Sequence, residues 1–285
     1  MPAPSQSQSI ASVLQKRARF AELHQNPGCF VIPNPWDLGS TVYLTSLGFK
    51  ALATTSAGMA FAAGRPDNGV TRAYALKHIA ELVAASPLPF NADFEAGFAS
   101  TRDEVFESAR LCIGTGVAGF SIEDYTGDPK APFYGFSESI ERIRAARQAI
   151  DASGEKVLLT ARSETIWAGR PDGLKEALRR LTAFAEAGAD VLFAPGLKRP
   201  QEVAEVVHAA GGLPVNVVVG APGFTLRQLE DLGVRRVSTG AGLARAAWGG
   251  FMRAARLIAE EGRFDGFAGA APSAELNALF AARTD

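Results

Sequence analysis

Short apolar runs alternate with amphipathic stretches along most of the chain. Each run ends in small or polar residues, and the stretch that follows has apolar side chains at helical spacing. The runs are CFVIP (29–33), ALATTS (51–56), PFNADFE (89–95), GFSIED (119–124), VLLTARSE (157–164), DVLFAPG (190–196), PVNVVVG (214–220) and RRVSTG (235–240). Helical patterns such as ESIERIRAARQAI and LKEALRRLTAFAEAG lie between them, and several close with the Gly that helix C-termini prefer. The pattern therefore predicts repeated strand–helix units.

Strands that are apolar throughout indicate parallel pairing with both faces of the sheet covered by helices. Eight such units within 285 residues predict an α/β fold of the (β/α)8 TIM-barrel type. The alternative is an open doubly wound sheet, but neither GxGxxG nor a P-loop follows any of the runs.

The pattern also sets boundaries for the domain. Residues 1–9 are polar and predicted to be loose, and an N-terminal helix begins with the apolar face that starts at Ile10. The barrel is expected to occupy 10–262, followed by 263–285 as a linker and a C-terminal helix, SAELNALFA (273–281). This helix is apolar enough to pack on a neighbouring subunit as easily as on its own barrel.

Composition excludes several classes of protein. With 47% hydrophobic residues, a net charge of −1 and no basic stripe, neither nucleic acid nor an anionic membrane is an expected partner. No apolar run is long enough for a membrane helix, and MPAPSQSQS does not resemble a signal peptide. Two cysteines, Cys29 and Cys112, do not make a disulfide framework, so a cytoplasmic location is predicted.

Polar residues collect at the ends of the predicted strands, where (β/α)8 barrels place their active sites. They include Asn34, Trp36, Asp37, Ser56, Ala57, Gly58, Asp93, Glu95, Glu123, Asp124, Arg162, Glu164 and Asn216, with Asp67 on the loop after the second strand. Carboxylates converge from strands three and four, and one arginine enters from strand five. Oxygen ligands without His or Cys favour Mg²⁺, or Mn²⁺, over zinc.

An arginine beside such an ion would hold a carboxylate or phosphonate of the substrate. A small α-oxo acid, with adjacent oxygens able to chelate, is the implied substrate. Taken alone, Asp93 or Glu95 could instead cap a helix or pair with a buried arginine, and Arg162 could be a salt-bridge partner. Asp124 is expected to brace its loop, and the three histidines fall in helical patterns away from the strand ends. The coincidence of these groups on one barrel face favours a site.

Five stretches of the chain carry a resemblance to a known family. They are NPWDLGSTVYLTSLGFKALATTSAGMAFAAGRPD (34–67), NADFEAGF (91–98), GVAGFSIED (116–124), LLTARSE (158–164) and LKEALRRLTAFAEAGADVLFAPG (174–196). In order and spacing the chain resembles the isocitrate lyase/phosphoenolpyruvate mutase superfamily. The resemblance covers most of 28–250.

This resemblance implies a Mg²⁺-dependent barrel that cleaves or rearranges a C–C or P–C bond next to an oxo-carboxylate. Carried over by motif, Asp93 would be the principal metal carboxylate, with Asp67 and Glu123 in the metal shell. The substrate carboxylate would be bound by Ser56, Ala57 and Gly58 and clamped by Arg162. The pocket floor would be formed by Trp36 and Asp37. The resemblance also implies a homo-oligomer, a dimer or tetramer that exchanges C-terminal helices.

Two departures from the family pattern bear on the reaction. The loop after strand four reads YTGDPKAPFYGF (125–136) and lacks the Cys and His with which isocitrate and methylisocitrate lyases act. Cleavage of those substrates by that route is therefore not expected. The family's DxD is matched to Asn91-Ala92-Asp93, with Glu95 as the candidate to replace the absent charge.

These residues predict a Mg²⁺-dependent lyase or hydrolase of a small α-oxo acid, with Arg162, Lys130 and Glu123 as catalytic candidates. Asn216 joins the substrate-binding set, and Glu95 joins the metal set. The first alternative is phosphonate chemistry, as in phosphoenolpyruvate mutase or phosphonopyruvate hydrolase, for which Lys130 would be essential. The second alternative is an oxo-acid-binding protein without turnover.

Overall fold

The computed structural model describes residues 6–281, with side chains described from residue 13 onward. All eight predicted strands are present. They are β1 (Phe30–Ile32), β2 (Leu52–Ala53), β3 (Phe90–Asp93), β4 (Gly119–Glu123), β5 (Leu158–Arg162), β6 (Val191–Phe193), β7 (Val215–Val218) and β8 (Arg236–Ser238). Every one lies inside the apolar run that predicted it.

Helices follow the strands as the alternating pattern requires. They are α1 (Gln6–Gln25), α2 (Leu38–Ser46), α3 (Ser56–Ala62), α4 (Arg72–Ala84), α5 (Arg102–Gly114), α6 (Phe136–Ser153), α7 (Gly173–Glu186), α8 (Pro200–Ala209), α9 (Leu226–Asp231), α10 (Gly242–Glu261) and α11 (Ser273–Ala281). Residues 1–5 of the stretch predicted to be loose lie outside the described residues, and from Gln6 onward that stretch is helical.

The eight strands form one parallel sheet in the order β1-β8-β7-β6-β5-β4-β3-β2. Between β1 and β2, the Ala53 N–H donates to Pro33 O at 3.0 Å. The barrel is thus nearly closed. The buried Asn34 side chain ties this seam together, because it donates to Thr54 O and accepts from the Thr239 and Gly240 amides. The (β/α)8 prediction is confirmed, and the open-sheet alternative is excluded.

Alternation along the strands divides the side chains between two environments. On β4, Phe120 and Ile122 pack outward into the main hydrophobic core against the helices, whereas Ser121 faces a cavity inside the barrel. The N-terminal end of the barrel is covered by α1. Phe20 of this helix packs closely under β4, where a Cβ on Gly119 would lie 2.8 Å from its ring. The open end of the barrel is therefore the C-terminal one.

The last two helices are packed unevenly on the barrel. Within the described residues, Ala244 is the one buried residue of α10, and α11 has none. A short 3₁₀ turn, Asp265–Phe267, connects them, and α11 contacts α2. No helix in the described part of the chain is both long and apolar enough to cross a bilayer.

Candidate active site

A cavity of about 590 Å³ opens at the C-terminal ends of the strands. This volume is typical of sites for small molecules. Six of the residues given a metal, substrate or catalytic role from the sequence line it: Ser56, Ala57, Asp67, Asp93, Arg162 and Asn216. The barrel therefore brings together groups that lie far apart in the chain.

Asp93, the last residue of β3, is fixed by three neighbours. Its Oδ2 accepts hydrogen bonds from both the amide and the hydroxyl of Ser56, each at 2.9 Å. Its Oδ1 accepts from Arg162 Nη1 at 3.0 Å. Its own amide donates to Thr54 Oγ1 at 2.9 Å, which joins β3 to the end of β2. The carboxylate is thus held at the cavity wall with both oxygens engaged.

Arg162 is surrounded by carboxylates at the end of β5. Nη1 lies 3.0 Å from Asp93 Oδ1 and 3.2 Å from Glu123 Oε2, and Nε donates to Glu164. Burial acts to lower the pKa of Arg162, but Glu123, Glu164 and Asp93 more than offset burial and raise the pKa above its ordinary value. A single guanidinium therefore serves three carboxyl groups.

The loop after β3 places Glu95 beside this cluster. Glu95 has φ +49°, an uncommon conformation for a residue other than Gly, and Gly97 and Phe98 also have positive φ. Arg142 of α6 holds the loop by donating from Nη2 to Ala96 O at 2.6 Å and Ala99 O at 2.8 Å. Such strain persists only where the surroundings fix it, and it is concentrated at functional sites.

Four carboxyl groups around Asp93 have raised pKa values. Burial, followed by the charges of Asp93 and Asp67, raises the pKa of Glu95 to about 8. Burial also raises the pKa of Glu123 and Glu164, although Arg162 acts in the opposite direction on both. The pKa of Asp67, on its exposed loop, is raised by partial desolvation and then by Asp93. The site thus holds more carboxyl groups than Arg162 alone can neutralise.

The stretch Ser56–Gly58 forms the first turn of α3, with Thr55 as its N-cap. The Gly58 amide donates to Thr55 Oγ1 at 3.2 Å, and the Ser56 amide is used by Asp93. A Cβ on Gly58 would lie 2.6 Å from Thr55 Cγ2 and 2.9 Å from Trp36 Cβ. Gly58 is thus required for close packing, and of the three residues Ser56 and Ala57 line the cavity.

Three predicted site residues lie elsewhere. Trp36 packs against Gly58, and Asp37 caps α2 by accepting from the Ser40 amide and hydroxyl, both at 2.7 Å. Neither lines the cavity floor as expected. Lys130 lies on an exposed turn, where its amide donates to Asp128 Oδ1, and it does not line the cavity.

Asp124 braces its loop, as the sequence predicted. Buried completely, it accepts from the Glu164 amide at 2.7 Å, from the Ser163 hydroxyl at 2.9 Å and from Arg180 Nη1 at 3.1 Å. Because Asp124 has its own arginine, it does not compete for Arg162.

Asn91, which the resemblance matches to the first position of the family's DxD, lies two residues before Asp93 on β3 and lines the same cavity. The Asn91 side chain points into the barrel below Asp93, where its Oδ1 lies 3.5 Å from both Thr160 Oγ1 and Arg236 Nη1. Glu95, the candidate to replace the absent charge, lies close enough for the charge of Asp93 to raise its pKa.

Two contributors were not assigned to the site from the sequence. Glu164 was noted at the end of strand five, and it is the third carboxylate on Arg162. Arg236 begins β8 and also lines the cavity. Its position at the same parity as Ser238 on β8 is the signal that would have identified it as inward-facing.

The donor set fits a hard divalent cation that takes much of its coordination from water and substrate. Among the described residues, no group of three or more His, Cys, Asp and Glu side chains is arranged to hold a metal by itself. Mg²⁺ needs only one or two direct carboxylates in such sites. The excess of carboxylates over Arg162 and the buried Glu95 Oε1, which has no hydrogen-bond partner, both favour an added cation.

Comparisons with known proteins agree with this geometry. A family model described as phosphoenolpyruvate phosphomutase matches residues 20–259. A crystal structure of a candidate lyase/mutase from Burkholderia cenocepacia is 47% identical, with a TM-score of 0.91 and coverage of 95% of this chain and 98% of that one.

Two curated relatives extend the comparison. The uncharacterized protein Rv1998c of Mycobacterium tuberculosis is 32% identical over 250 residues, or 85% of this chain and 89% of that protein. The 2-methylisocitrate lyase of Bacillus subtilis is 26% identical over 257 residues, or 86% of this chain and 82% of that protein.

Proposed function

The chain belongs to the phosphoenolpyruvate phosphomutase family within the isocitrate lyase/phosphoenolpyruvate mutase superfamily, and from this premise we propose a specific activity. The protein is a Mg²⁺-dependent enzyme that cleaves the C–C bond next to the oxo-carboxylate of a small α-oxo acid. The observation that carries the proposal is the cluster of Asp93, Glu123 and Glu164 around Arg162, with the unpartnered Glu95 carboxyl beside it.

Asp93 is the residue best placed to hold the cation, with Asp67, Glu95 and Glu123 in support. Asp93 and Asp67 line the cavity, and Asp67 and Glu95 have pKa values that the charge of Asp93 raises. A bound Mg²⁺ would act as a Lewis acid on the enolate that develops when the bond breaks.

Arg162 is the residue that would orient the substrate carboxylate. It lines the cavity, and the Phe193 ring lies behind it, 5.2 Å from the guanidinium carbon. Once Asp93 turns toward a cation, the Nη1 N–H of Arg162 that donated to Asp93 is free to donate to the substrate. Asn216, which also lines the cavity, belongs to the same binding set.

The loop after β4 has the character of a cover over the cavity. Tyr125 pairs with Phe133 across an antiparallel bridge, and its ring packs edge-on against Trp167 at 6.1 Å. Trp167 itself lines the cavity. We expect this loop to exclude water when substrate is bound. Because it carries neither Cys nor His, the activity named for the Bacillus subtilis relative is not the one proposed here.

Replacement of Asp93 tests the proposal. Calorimetry in saturating Mg²⁺ should show pyruvate or oxaloacetate binding to the wild type and no binding to Asp93→Ala. Asp103→Ala is the matched control, since it removes an exposed carboxylate on α5 outside the cavity. Unchanged oxo-acid binding in a folded Asp93→Ala protein would refute the site.

Phosphonate chemistry is the second candidate, favoured by the description of the matching family model. It makes Lys130 essential, although that residue lies on an exposed turn. Incubation with phosphonopyruvate, followed by ³¹P NMR, decides between the two activities. An unchanged spectrum with protein that is active on an oxo acid excludes phosphonate turnover.

We also propose that the C-terminal segment of each subunit, which contains α11, packs on a neighbouring subunit. Aromatic side chains are exposed on α10 and just after it, where Phe251 is 63% exposed and Phe264 is 64% exposed. Several large apolar side chains exposed within one segment are more typical of an interface than of a monomer. The expected assembly is a dimer or tetramer, which keeps the prediction made from the sequence.

A further inference from the structure

An arginine is buried inside the barrel below the proposed metal site. Arg236 belongs to β8, is 3% exposed and lines the same cavity as Asp93 and Arg162. Its guanidinium contacts Asn91 and Thr160, which precede Asp93 and Arg162 by two residues on β3 and β5. Two residues of strand place it roughly 6–7 Å deeper than the Asp93–Arg162 pair.

Every hydrogen-bond acceptor of Arg236 among the described residues is neutral. Nε donates to Asn216 Oδ1 at 2.8 Å, and Nη2 donates to Thr160 Oγ1 at 3.1 Å. Nη1 lies 3.3 Å from His24 Nε2 and 3.5 Å from Asn91 Oδ1. Nη2 carries two N–H groups but contacts one acceptor.

The neighbouring histidine supplies no negative charge. His24 Nδ1 lies 2.7 Å from Phe20 O, a carbonyl that can only accept, so Nδ1 carries the proton and Nε2 accepts from Arg236. Burial, followed by the charge of Arg236, lowers the pKa of His24 to about 3. None of the salt bridges in the described part of the chain includes Arg236, and burial alone lowers its pKa to about 9.

Many of the side chains that line the barrel interior above this arginine are small or polar. Layers of bulky Val, Ile and Leu side chains usually fill the interior of such barrels. Here small or polar residues line much of the cavity together with the larger Ile32, Phe193 and Val218; the small or polar ones are Thr54, Asn91, Ser121, Thr160, Asn216 and Ser238. The same cavity therefore extends from the strand ends down to the Arg236 guanidinium.

A buried charge with no partner of opposite sign costs several kcal/mol, and proteins retain it mainly where function requires it. Neutral acceptors orient Arg236, but they do not neutralise it. The cavity that reaches it gives an anion access to the remaining N–H group. A ligand can therefore supply the charge that the protein omits.

We propose that Arg236 binds a second anionic group of the substrate, so that the enzyme acts on α-oxo acids that carry a distal carboxylate. This rests on the proposed function, because the oxo-carboxylate end is held at Asp93 and Arg162. The distance between the two levels favours a dicarboxylic acid with a few carbons between its ends over a monocarboxylic acid such as pyruvate.

The test compares pyruvate with the dicarboxylic acids oxaloacetate, 2-oxoglutarate and 2-oxoadipate by calorimetry in saturating Mg²⁺. NMR on the same samples detects turnover. In the wild type, at least one dicarboxylic acid should bind roughly 10- to 100-fold more tightly than pyruvate, the range expected of hydrogen bonds to a charged group. In Arg236→Gln this difference should vanish, while pyruvate affinity stays within about 3-fold.

Two further variants separate binding from folding. Asn91→Asp places a carboxylate beside Arg236 Nη1 and should abolish the preference without removing the arginine. Arg236→Lys keeps the positive charge and should retain part of the preference for dicarboxylic acids. Retained pyruvate binding by Arg236→Gln also reports that the rest of the site is intact.

Each outcome is decisive. If no oxo acid binds the wild type, the proposed function fails, and this inference falls with it. If oxo acids bind and folded Arg236→Gln keeps the wild-type preference, or if the wild type has none, only the inference is overturned. If chloride or phosphate alone stabilises the wild type but not Arg236→Gln, and dicarboxylic acids gain nothing, the anion is inorganic and the substrate assignment is overturned.

Discussion

The buried carboxyl of Glu95 makes a quantitative prediction about stability and pH. The residue is 8% exposed, its Oε1 has no hydrogen-bond partner, and burial, with the charges of Asp93 and Asp67, raises its pKa from 4.5 to about 8. The folded protein therefore keeps a proton on Glu95 that the unfolded chain has already lost. The perturbation is Glu95→Gln, which imitates the protonated side chain at every pH.

The direction follows from proton binding. Below pH 4.5 both states carry the proton, so Glu95 does not affect stability there. Between 4.5 and about 8 the unfolded state releases its proton first, and the free energy of unfolding falls as the pH rises. Each pKa unit is worth about 1.36 kcal/mol. The full difference therefore approaches about 5 kcal/mol above pH 8, an upper value because the loop can relax.

Urea denaturation in the presence of EDTA measures this difference. Wild type and Glu95→Gln should have similar stabilities near pH 4.5, and the variant should gain several kcal/mol over the wild type by pH 9. Glu205→Gln, which removes an exposed carboxyl on α8, should follow the wild type at both pH values. Saturating Mg²⁺ should reduce the loss in the wild type. A constant difference between wild type and Glu95→Gln from pH 4.5 to 9 would refute the reasoning.

Three further predictions concern packing, assembly and the braced loop. Gly58→Ala should lower the free energy of unfolding, measured in urea, by about 1–3 kcal/mol, because its Cβ would lie 2.6 Å from a threonine methyl group. The control is Gly114→Ala, which should not lower the free energy of unfolding, because no atom lies within 4 Å of its Cβ. Deletion of 263–285 should reduce the mass measured by light scattering to that of a smaller assembly, and an unchanged mass would contradict the proposed helix exchange. Asp124→Asn should cost about 1.5–3 kcal/mol, because it removes the charged partner of Arg180 Nη1 at 3.1 Å, while Glu176 still pairs with Arg180 Nε. A loss below about 1 kcal/mol, measured by thermal or urea unfolding, would show that the Asp124–Arg180 bridge is unimportant.

The fold could be predicted from the sequence because its signals are local. Each strand of the barrel is an apolar run, and each helix has an amphipathic period, so the eight units are visible without knowledge of their contacts. The placement of Asp93 and Arg162 at the ends of their strands could also be predicted from neighbouring residues, because each is among the polar residues with which an apolar run ends. Parallel strands in a barrel present those ends on one face, which is why the site could be located in advance.

The sequence was less informative about which polar residues meet. Asp37 and Gly58 occur beside the site in the chain, yet one caps α2 and the other is required for packing against Trp36. Lys130 is close to Glu123 in sequence but lies on an exposed turn. Capping and close packing use the same residue types as catalysis, so a motif alone does not separate them.

The sequence by itself determined the number and order of the strand–helix units and the level at which the carboxylates are presented, because both depend on periodicity over a few residues. Only the tertiary structure decided that Arg162 pairs with Asp93, 69 residues away, and that Arg236 has no carboxylate partner in the described chain. Those facts depend on barrel closure and on which way each inward side chain points. Neither is encoded in neighbouring residues, since the contacts join strands that meet only when the barrel forms.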